Sequence, residues 1–298
     1  MRASGLNAKK GRWGYFFIAP FLVVFLIFGL YPIIFTFQLS FQKWSGFGAT
    51  TSVGFANFKR IVSDNTFPKT LWNTIKIWIV DFIPQIGIAL LLSMIFTFYK
   101  IKGMRFMRAV YYLPNLITAA SIGLLFNILM NGDKSTVNQL LVGLHVKGAP
   151  VAFFKSTNIS QMICSYILWW MWFGYTTIII MAGITSISHD MYEAAELDGC
   201  TKMQTFRKIT LPLIRPTLVY ITITSVIGGM QILDVPANLT NMQGDPQKAL
   251  LTSSMYIYNQ GFKNNSFGYA SALSVILFFI IAILSFISLN VMNRKDSK

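Results

Sequence analysis

Four of the ten acidic side chains in this chain of 298 residues, Asp190, Glu193, Glu196 and Asp198, fall within nine consecutive positions. Asp190 suits a helix N-cap, with Glu193 three residues on as its capping-box partner. Negative charge in a first turn also suits the positive end of the helix dipole. Ala194 and Ala195 favour helix and keep the surface low enough for another protein to approach. Gly199 is a natural stop, and Pro212, at the end of Ile209-Thr210-Leu211-Pro212, marks the start of the next helix. The stretch is therefore expected to fold as a short helix, a turn at Gly199, a second short helix and entry into an apolar span. An amphipathic helix resting on a membrane surface and a docking element for another protein both fit this pattern.

Other chemistry is sparse. No H-E-x-x-H or G-x-S-x-G pattern occurs, and His145 and His189 belong to separate polar loops, where lone histidines are usually solvated. Cys164 sits in an apolar run and Cys200 in the polar loop, so the two should lie at different levels, which argues against a disulfide framework or a metal site. No catalytic residue or metal ligand is assigned.

The elements that must carry the 190–212 stretch are apolar. Charged residues make up 12% of the chain, about half the usual quarter, and 54% are hydrophobic. Apolar runs near twenty residues, the length needed to cross a bilayer, recur at about 15–40, 71–98, 109–130, 161–183, 213–236 and 267–292. One all-α membrane domain of six spans is expected over 15–292, with a connecting loop at 184–212 and short polar tails at 1–14 and 293–298. The first run is too long for a cleaved signal core and lacks a small-residue cleavage site, so it reads as retained. Gly228-Gly229 and Pro236 interrupt the fifth run, and broken helices at membrane depth are tolerated where they line a cavity. Asp81 lies within the second run, where lining a water-filled path, pairing with a neighbouring helix and sitting near the boundary of the span are all open to it. The tryptophans of Trp169-Trp170-Met171-Trp172 suit interfacial anchoring or packing, and a sugar face also stacks on such rings.

The net charge of +15 would suggest nucleic acid in a soluble protein. Here it follows membrane topology. Six spans put both termini on one side, which then holds fifteen lysines and arginines against nine in the longer loops opposite. The positive-inside rule makes the termini and the 184–212 loop cytoplasmic.

Glu193-Ala194-Ala195, Gly199 and Ile209-x-Leu211-Pro212 together resemble the E-A-A-x3-G-x9-I-x-L-P signature of ABC importer permeases, with every fixed position met over twenty residues. Further likeness lies in Tyr31-Pro32, Gly54-Phe55-x-Asn57-Phe58, Asn73-Thr74, Tyr112-Leu113-Pro114, Leu239-Thr240 and Gly268-Tyr269-Ala270-Ser271-Ala272, which resemble the carbohydrate-uptake branch, first-permease type. One departure is Asn241-Met242-Gln243-Gly244-Asp245-Pro246, where many relatives have a Gly-Gly-Pro turn. The resemblance implies a type I importer permease in a bacterial cell membrane, paired with a second permease, a cytoplasmic ABC ATPase dimer and an extracellular solute-binding protein, and carrying a sugar. It implies a coupling role for Tyr192, Glu193, Ala194, Ala195, Asp198, Gly199, Phe206, Ile209, Leu211 and Pro212. It places Asn115, Ala119, Gly174, Thr224, Gly228 and Gln231 near the sugar path; for the polar ones, helix–helix hydrogen bonding is an equal alternative. ATP and magnesium would act in the partner ATPase, because this chain has no G-x-x-x-x-G-K-[ST] phosphate loop. The competing class is a secondary transporter or channel. It needs an ionisable path through the spans, for which only Lys76, Asp81 and Asp234 are available, and it leaves the 190–212 pattern unexplained.

Overall fold

A computed structural model describes residues 15–99 and 101–293. The polar tails at 1–14 and 294–298, and Lys100, lie outside the described residues. The chain resolves into two units, one of residues up to Asp64 together with Ile257–Phe278, the other of Asn65–Tyr256 with the remainder of the last helix.

The first unit begins with α1 (Tyr15–Leu39), 25 residues that widen into a π-turn over Phe25–Leu30. Its apolar side chains are largely exposed, as suits a helix whose solvent is lipid. A two-stranded hairpin follows, β1 (Gln42–Lys43) and β2 (Thr51–Ser52), with Gln42 opposite Ser52, then the short α2 (Ala56–Val62). The Asn57 amide donates to the Ser40 and Gln42 carbonyls, both at 2.9 Å, and so ties α2 to the end of α1. Within the same unit, Tyr269 donates its hydroxyl to Asp64 at 2.7 Å, and the Arg60 guanidinium lies 3.9 Å from the Tyr269 ring centre.

The second unit carries most of the core. α3 (Thr66–Phe98) is 33 residues long, starting five residues earlier than the apolar run predicts. At about 1.5 Å per residue it exceeds a hydrocarbon core of about 30 Å, so its polar first turns, with Lys69 and Asn73, extend past the apolar slab. The third apolar run does not form one helix. It splits into α4 (Met104–Leu116) and α5 (Ala119–Met130), bent by 89°. Pro114 has no N–H to give, Ile117 is extended, and Thr118 restarts the chain as an N-cap accepting from the Ser121 N–H. The expected continuous span at 109–130 is therefore corrected to a broken one. A short α6 (Thr136–Gly143) occupies the following polar stretch, and α7 (Thr157–Thr185) is a full span. After the connecting segment come α8 (His189–Leu197) and α9 (202–213), then α10 (Arg215–Met230) and α11 (Asp234–Leu239). The break at 231–233 falls where Gly228-Gly229 and Pro236 predict it. There Thr252 donates to the freed Ile232 carbonyl at 2.6 Å. α12 (Ser253–Tyr258) and α13 (Phe267–Asn293) complete the order. Among the described residues, five helices are long and apolar enough to cross a membrane, six crossings if the bent α4–α5 pair counts as one.

The α3–α7 pairing organises the second unit. One apolar cluster joins Ile77, Ile122, Ile167, Met171, Val235 and Leu250; another, nearer α8, joins Ala89, Ile180, Ile184, Phe206, Ile214 and Ile221. Polar contacts also join the two helices: Ser165 to the Ile77 carbonyl (3.0 Å), Gln85 to Thr176 (2.6 Å) and Ser93 to the Thr177 carbonyl (3.3 Å). Such bonds hold helices together where lipid offers no hydrophobic contrast. Asn73 and Thr74 act likewise: Asn73 donates to the Lys248 and Leu251 carbonyls, Gln161 donates to Asn73, and Thr74 accepts from the Ser253 N–H. The two bonds donated by Asn73, with Gln161 donating to the Ala249 carbonyl at 2.8 Å, fasten the 241–252 segment to α3 and α7, and Thr74 holds the first residue of α12.

Candidate functional site

Two places in the second unit combine unusual chemistry with built geometry: the α8–α9 element and a cavity among the spans.

α8 forms as a nine-residue helix, but its cap differs from the sequence expectation. Ser188, not Asp190, is the N-cap, its hydroxyl accepting from the Asp190 N–H at 3.3 Å. The shift of two residues frees Glu193 from a capping-box role, and it instead meets His189 one turn back, Oε1 to Nδ1 at 2.9 Å, on the exposed face. The stop at Gly199 holds. Its φ is +72°, its N–H donates to the Glu196 carbonyl, and the Cys200 N–H reaches the Ala195 carbonyl at 2.9 Å. That pair of bonds is a Schellman closure. A Cβ at Gly199 would meet nothing within 4 Å, so glycine is needed there for its backbone and not for internal space.

The alanines divide. Ala194 is exposed, whereas Ala195 is 3% exposed and packs inward, so only the first leaves a low outer surface. Tyr192 also points inward, edge-on to Phe98 at 5.8 Å and within 3.3 Å of the Thr210 hydroxyl. Phe206 is buried against Phe98 at 6.3 Å and joins the apolar cluster with Ile184 and Ile214. Leu211 packs beside that cluster and Ile209 is half-buried. The outward set is Asp190, Met191, Glu193, Ala194, Glu196, Leu197 and Asp198, with Leu197 89% exposed. α9 opens on a full capping box, Thr201 with Gln204, and widens into a π-turn over Phe206–Thr210. Pro212 therefore sits near the end of a helix already under way. The next span starts after a break at Ile214, with Pro216 in its first turn, which corrects the boundary expected at Pro212.

The element is thus a small amphipathic platform. Phe206 locks one side into the apolar cluster around Ile184 and Ile214, with Tyr192 set against Phe98 and Ala195 buried on the same helix as Tyr192. The other presents four carboxylates around two exposed apolar side chains, Met191 and Leu197.

The cavity, about 290 Å³, lies among α3, α7 and α10. This is near the lower end of the usual range for small-ligand sites, about 300–1,000 Å³. Trp78, Trp172, Tyr175 and Tyr220 give it aromatic walls; Asp81, Gln85, Thr176, Thr224 and Ser225 supply polar groups. Trp78 donates its indole N–H to Ser225 at 3.0 Å and stacks on Phe82 at 5.5 Å. A side chain at Gly229 would collide with that indole, whereas Gly228 opens onto free space.

Of the residues placed near the sugar path, Thr224 and Gly228 line this cavity. Asn115, Ala119, Gly174 and Gln231 do not line it. Ala119 packs on the apolar core, and Gln231 is exposed in the break after α10. The room beside Gly174 is taken by the Tyr111 backbone, so this glycine serves the close crossing of α4 and α7. Sequence reasoning offered Asp81 and the tryptophan run only as alternatives, and it missed Trp78, Gln85, Tyr175 and Thr176. Asp81 and Gln85 are four residues apart and so share a helix face, a pattern that pointed to one polar wall. The tryptophans also separate: Trp169 stacks on Phe173 at 5.2 Å, Trp170 packs against Phe126, and Trp172 alone of the three lines the cavity.

Comparison with known proteins agrees with the architecture. Residues 85–296 match the family described as "Binding-protein-dependent transport system inner membrane component". The chain is 30% identical over 275 residues to the lactose transport system permease protein of Rhizobium radiobacter, covering 92% of each. It is also 30% identical to the arabinooligosaccharides transport system permease protein of Bacillus subtilis (strain 168), covering 92% of this chain and 87% of that one. A solved bacterial alginate ABC transporter, in complex with an alginate pentasaccharide-bound periplasmic protein, shares the fold: TM-score 0.79 at 22% identity, over 97% of this chain and 96% of that one. The chain therefore belongs to the family of binding-protein-dependent transport system inner membrane components, and its relatives include permeases of sugar uptake.

Proposed function

We propose that this chain is the permease half of an ATP-driven, binding-protein-dependent carbohydrate importer, lining the path with a second permease and driven from the cytoplasm through α8. The observation that carries this reading is the α8–α9 platform. It is anchored inward by three side chains, closed by a glycine at φ +72°, and outwardly acidic in a chain of net charge +15. A helix merely resting on the membrane would carry lysine and arginine on its polar face; α8 carries none. Its outer surface suits a groove in a soluble partner. An ATPase that closes on ATP would pull on α8, and through Tyr192 and Phe206 the pull would reach α3 and α7. That is a rigid-body transition driven by state-dependent binding.

The charge asymmetry puts α8 and both termini in the cytoplasm. The 241–252 segment, fastened to α3 by Asn73, then faces outward, where an extracellular solute-binding protein would deliver cargo. The cavity's aromatic walls and hydroxyl- and amide-bearing side chains suit a sugar. ATP and Mg²⁺ act in the partner ATPase. The test is affinity purification of the tagged chain from membranes. A second permease and an ATPase should co-purify; a lone chain that transports in liposomes without ATP would restore the secondary-transporter reading.

A further inference from the structure

Asp81 is the unexplained group in the cavity. It stands midway along α3, is 6% exposed, and its buried Oδ1 has no hydrogen-bond partner among the described residues. A carboxyl buried in this way is costly unless something satisfies it. None of the residues lining the cavity is a lysine or arginine. Two polar groups of the same cavity bond elsewhere: Gln85, one turn along the same helix face, donates to Thr176, and Ser225 accepts from Trp78. Asp81 keeps one unpartnered oxygen, buried at the wall of a cavity near the volume of a small-ligand site that Trp78 and Trp172 also line.

We propose that Asp81 is the specificity-determining residue of this cavity, hydrogen-bonding the hydroxyls of an uncharged glycoside where carboxylated cargo would find no counter-charge. The inference rests on the sugar-importer reading above. A carboxyl group pairs well with vicinal hydroxyls, and aromatic rings accept the apolar faces of a pyranose. A uronate would bring its carboxylate into a dry cavity that offers no cation, so the loss of its hydration goes uncompensated and it is excluded. Acidic cargo of the kind carried by the alginate transporter of similar fold would find no counter-charge here.

The test uses the purified complex with its co-purifying subunits but without the binding protein, so that cargo selection upstream does not enter. Saturation-transfer NMR reads binding of lactose and arabinobiose, and of digalacturonate as the acidic comparator. The wild-type complex should saturate at least one neutral sugar and not digalacturonate. Asp81→Ala should weaken the neutral sugar tenfold or more. Asp81→Asn, which keeps the shape and the hydrogen bonding, should weaken it less, and neither variant should admit digalacturonate. Both variants should assemble normally, since they remove an unsatisfied group and no observed bond. Wild-type binding of digalacturonate, or unchanged neutral binding in Asp81→Ala, overturns the role of Asp81 and leaves the sugar reading standing. Absence of any sugar signal in wild type overturns both. Failure of both variants to assemble would make Asp81 a structural partner across subunits and also overturns the proposal.

Discussion

Gly199 separates two reasons for which a helix can end in glycine. Its φ of +72° costs an ordinary L-residue about 1–2 kcal/mol, and asparagine or aspartate less, because their short polar side chains bond locally. A Cβ on this turn would have no other atom of the chain within 4 Å, so bulk adds no internal clash. If the glycine serves the turn alone, function should follow backbone tolerance, with Gly199→Asn and Gly199→Asp better than Gly199→Ala. If it serves a surface pressed against another protein, the order reverses. Aspartate then adds a charge beside Glu196 and Asp198 at the contact, while alanine adds one methyl. We predict the reversed order. Gly199→Asp should lose at least tenfold in cargo-stimulated ATP hydrolysis and uptake, about 1.4 kcal/mol of coupling, and Gly199→Ala should lose less despite its larger conformational cost. Both are measured on complexes reconstituted in proteoliposomes, with the amount of chain in the membrane as the control. Wild-type uptake by Gly199→Asp, or a worse result for Gly199→Ala than for Gly199→Asp, would refute the docking argument.

Other substitutions test the supporting geometry. Phe206→Ala empties a buried ring site between Phe98 and the Ile184–Ile214 cluster, and should destabilise the α8 end of the bundle by about 3–5 kcal/mol, seen as a lower melting temperature and loss of ATPase capture. Asn73→Ala removes two donated bonds and one accepted bond. At about 1 kcal/mol each, the loss should loosen the 241–252 segment to limited proteolysis while α8 stays protected. The paired glycines should behave differently. Gly229→Ala drives a methyl into the Trp78 indole and should cost about 1–3 kcal/mol in thermal stability, whereas Gly228→Ala meets no atom and should leave stability equal or slightly improved.

Much of this architecture was legible because membrane spans announce themselves through length and composition. The second, fourth and sixth runs fall within helices Thr66–Phe98, Thr157–Thr185 and Phe267–Asn293. The break after Gly228-Gly229 was readable because those residues weaken helix and Pro236 lacks an N–H. The 89° bend between Leu116 and Ala119 was not. Apolar residues flank it on both sides, Leu116 and Ile117 before and Ala119 and Ala120 after, and Thr118 looks like any polar residue in a span until its backbone is seen to be extended. At α8 the stop was clear, since only glycine suits a positive φ so well, but the start was not. Ser188 and Asp190 are both good caps by residue type, and the sequence does not distinguish them; the Ser188 hydroxyl takes the Asp190 N–H. The cavity was hardest to read. Its residues come from α3, α7 and α10, and no local pattern reveals which polar faces meet. Gly174 illustrates the limit, because the same residue type serves equally for ligand space and for close helix approach, and here Tyr111 occupies the space.

The most direct test of the central claim is cross-linking from α8. Leu197 is 89% exposed on the outer side of that helix, and replacing Cys200 by serine leaves Leu197→Cys beside only the buried Cys164. Leu144, 71% exposed in the polar stretch that the charge count puts outside, supplies the control as Leu144→Cys. In inverted membrane vesicles carrying the whole complex, the account predicts an adduct between position 197 and a separate ATP-hydrolysing subunit, altered in yield by ATP, and none from position 144. No adduct from position 197, together with uptake by the chain alone in the absence of ATP, would contradict it.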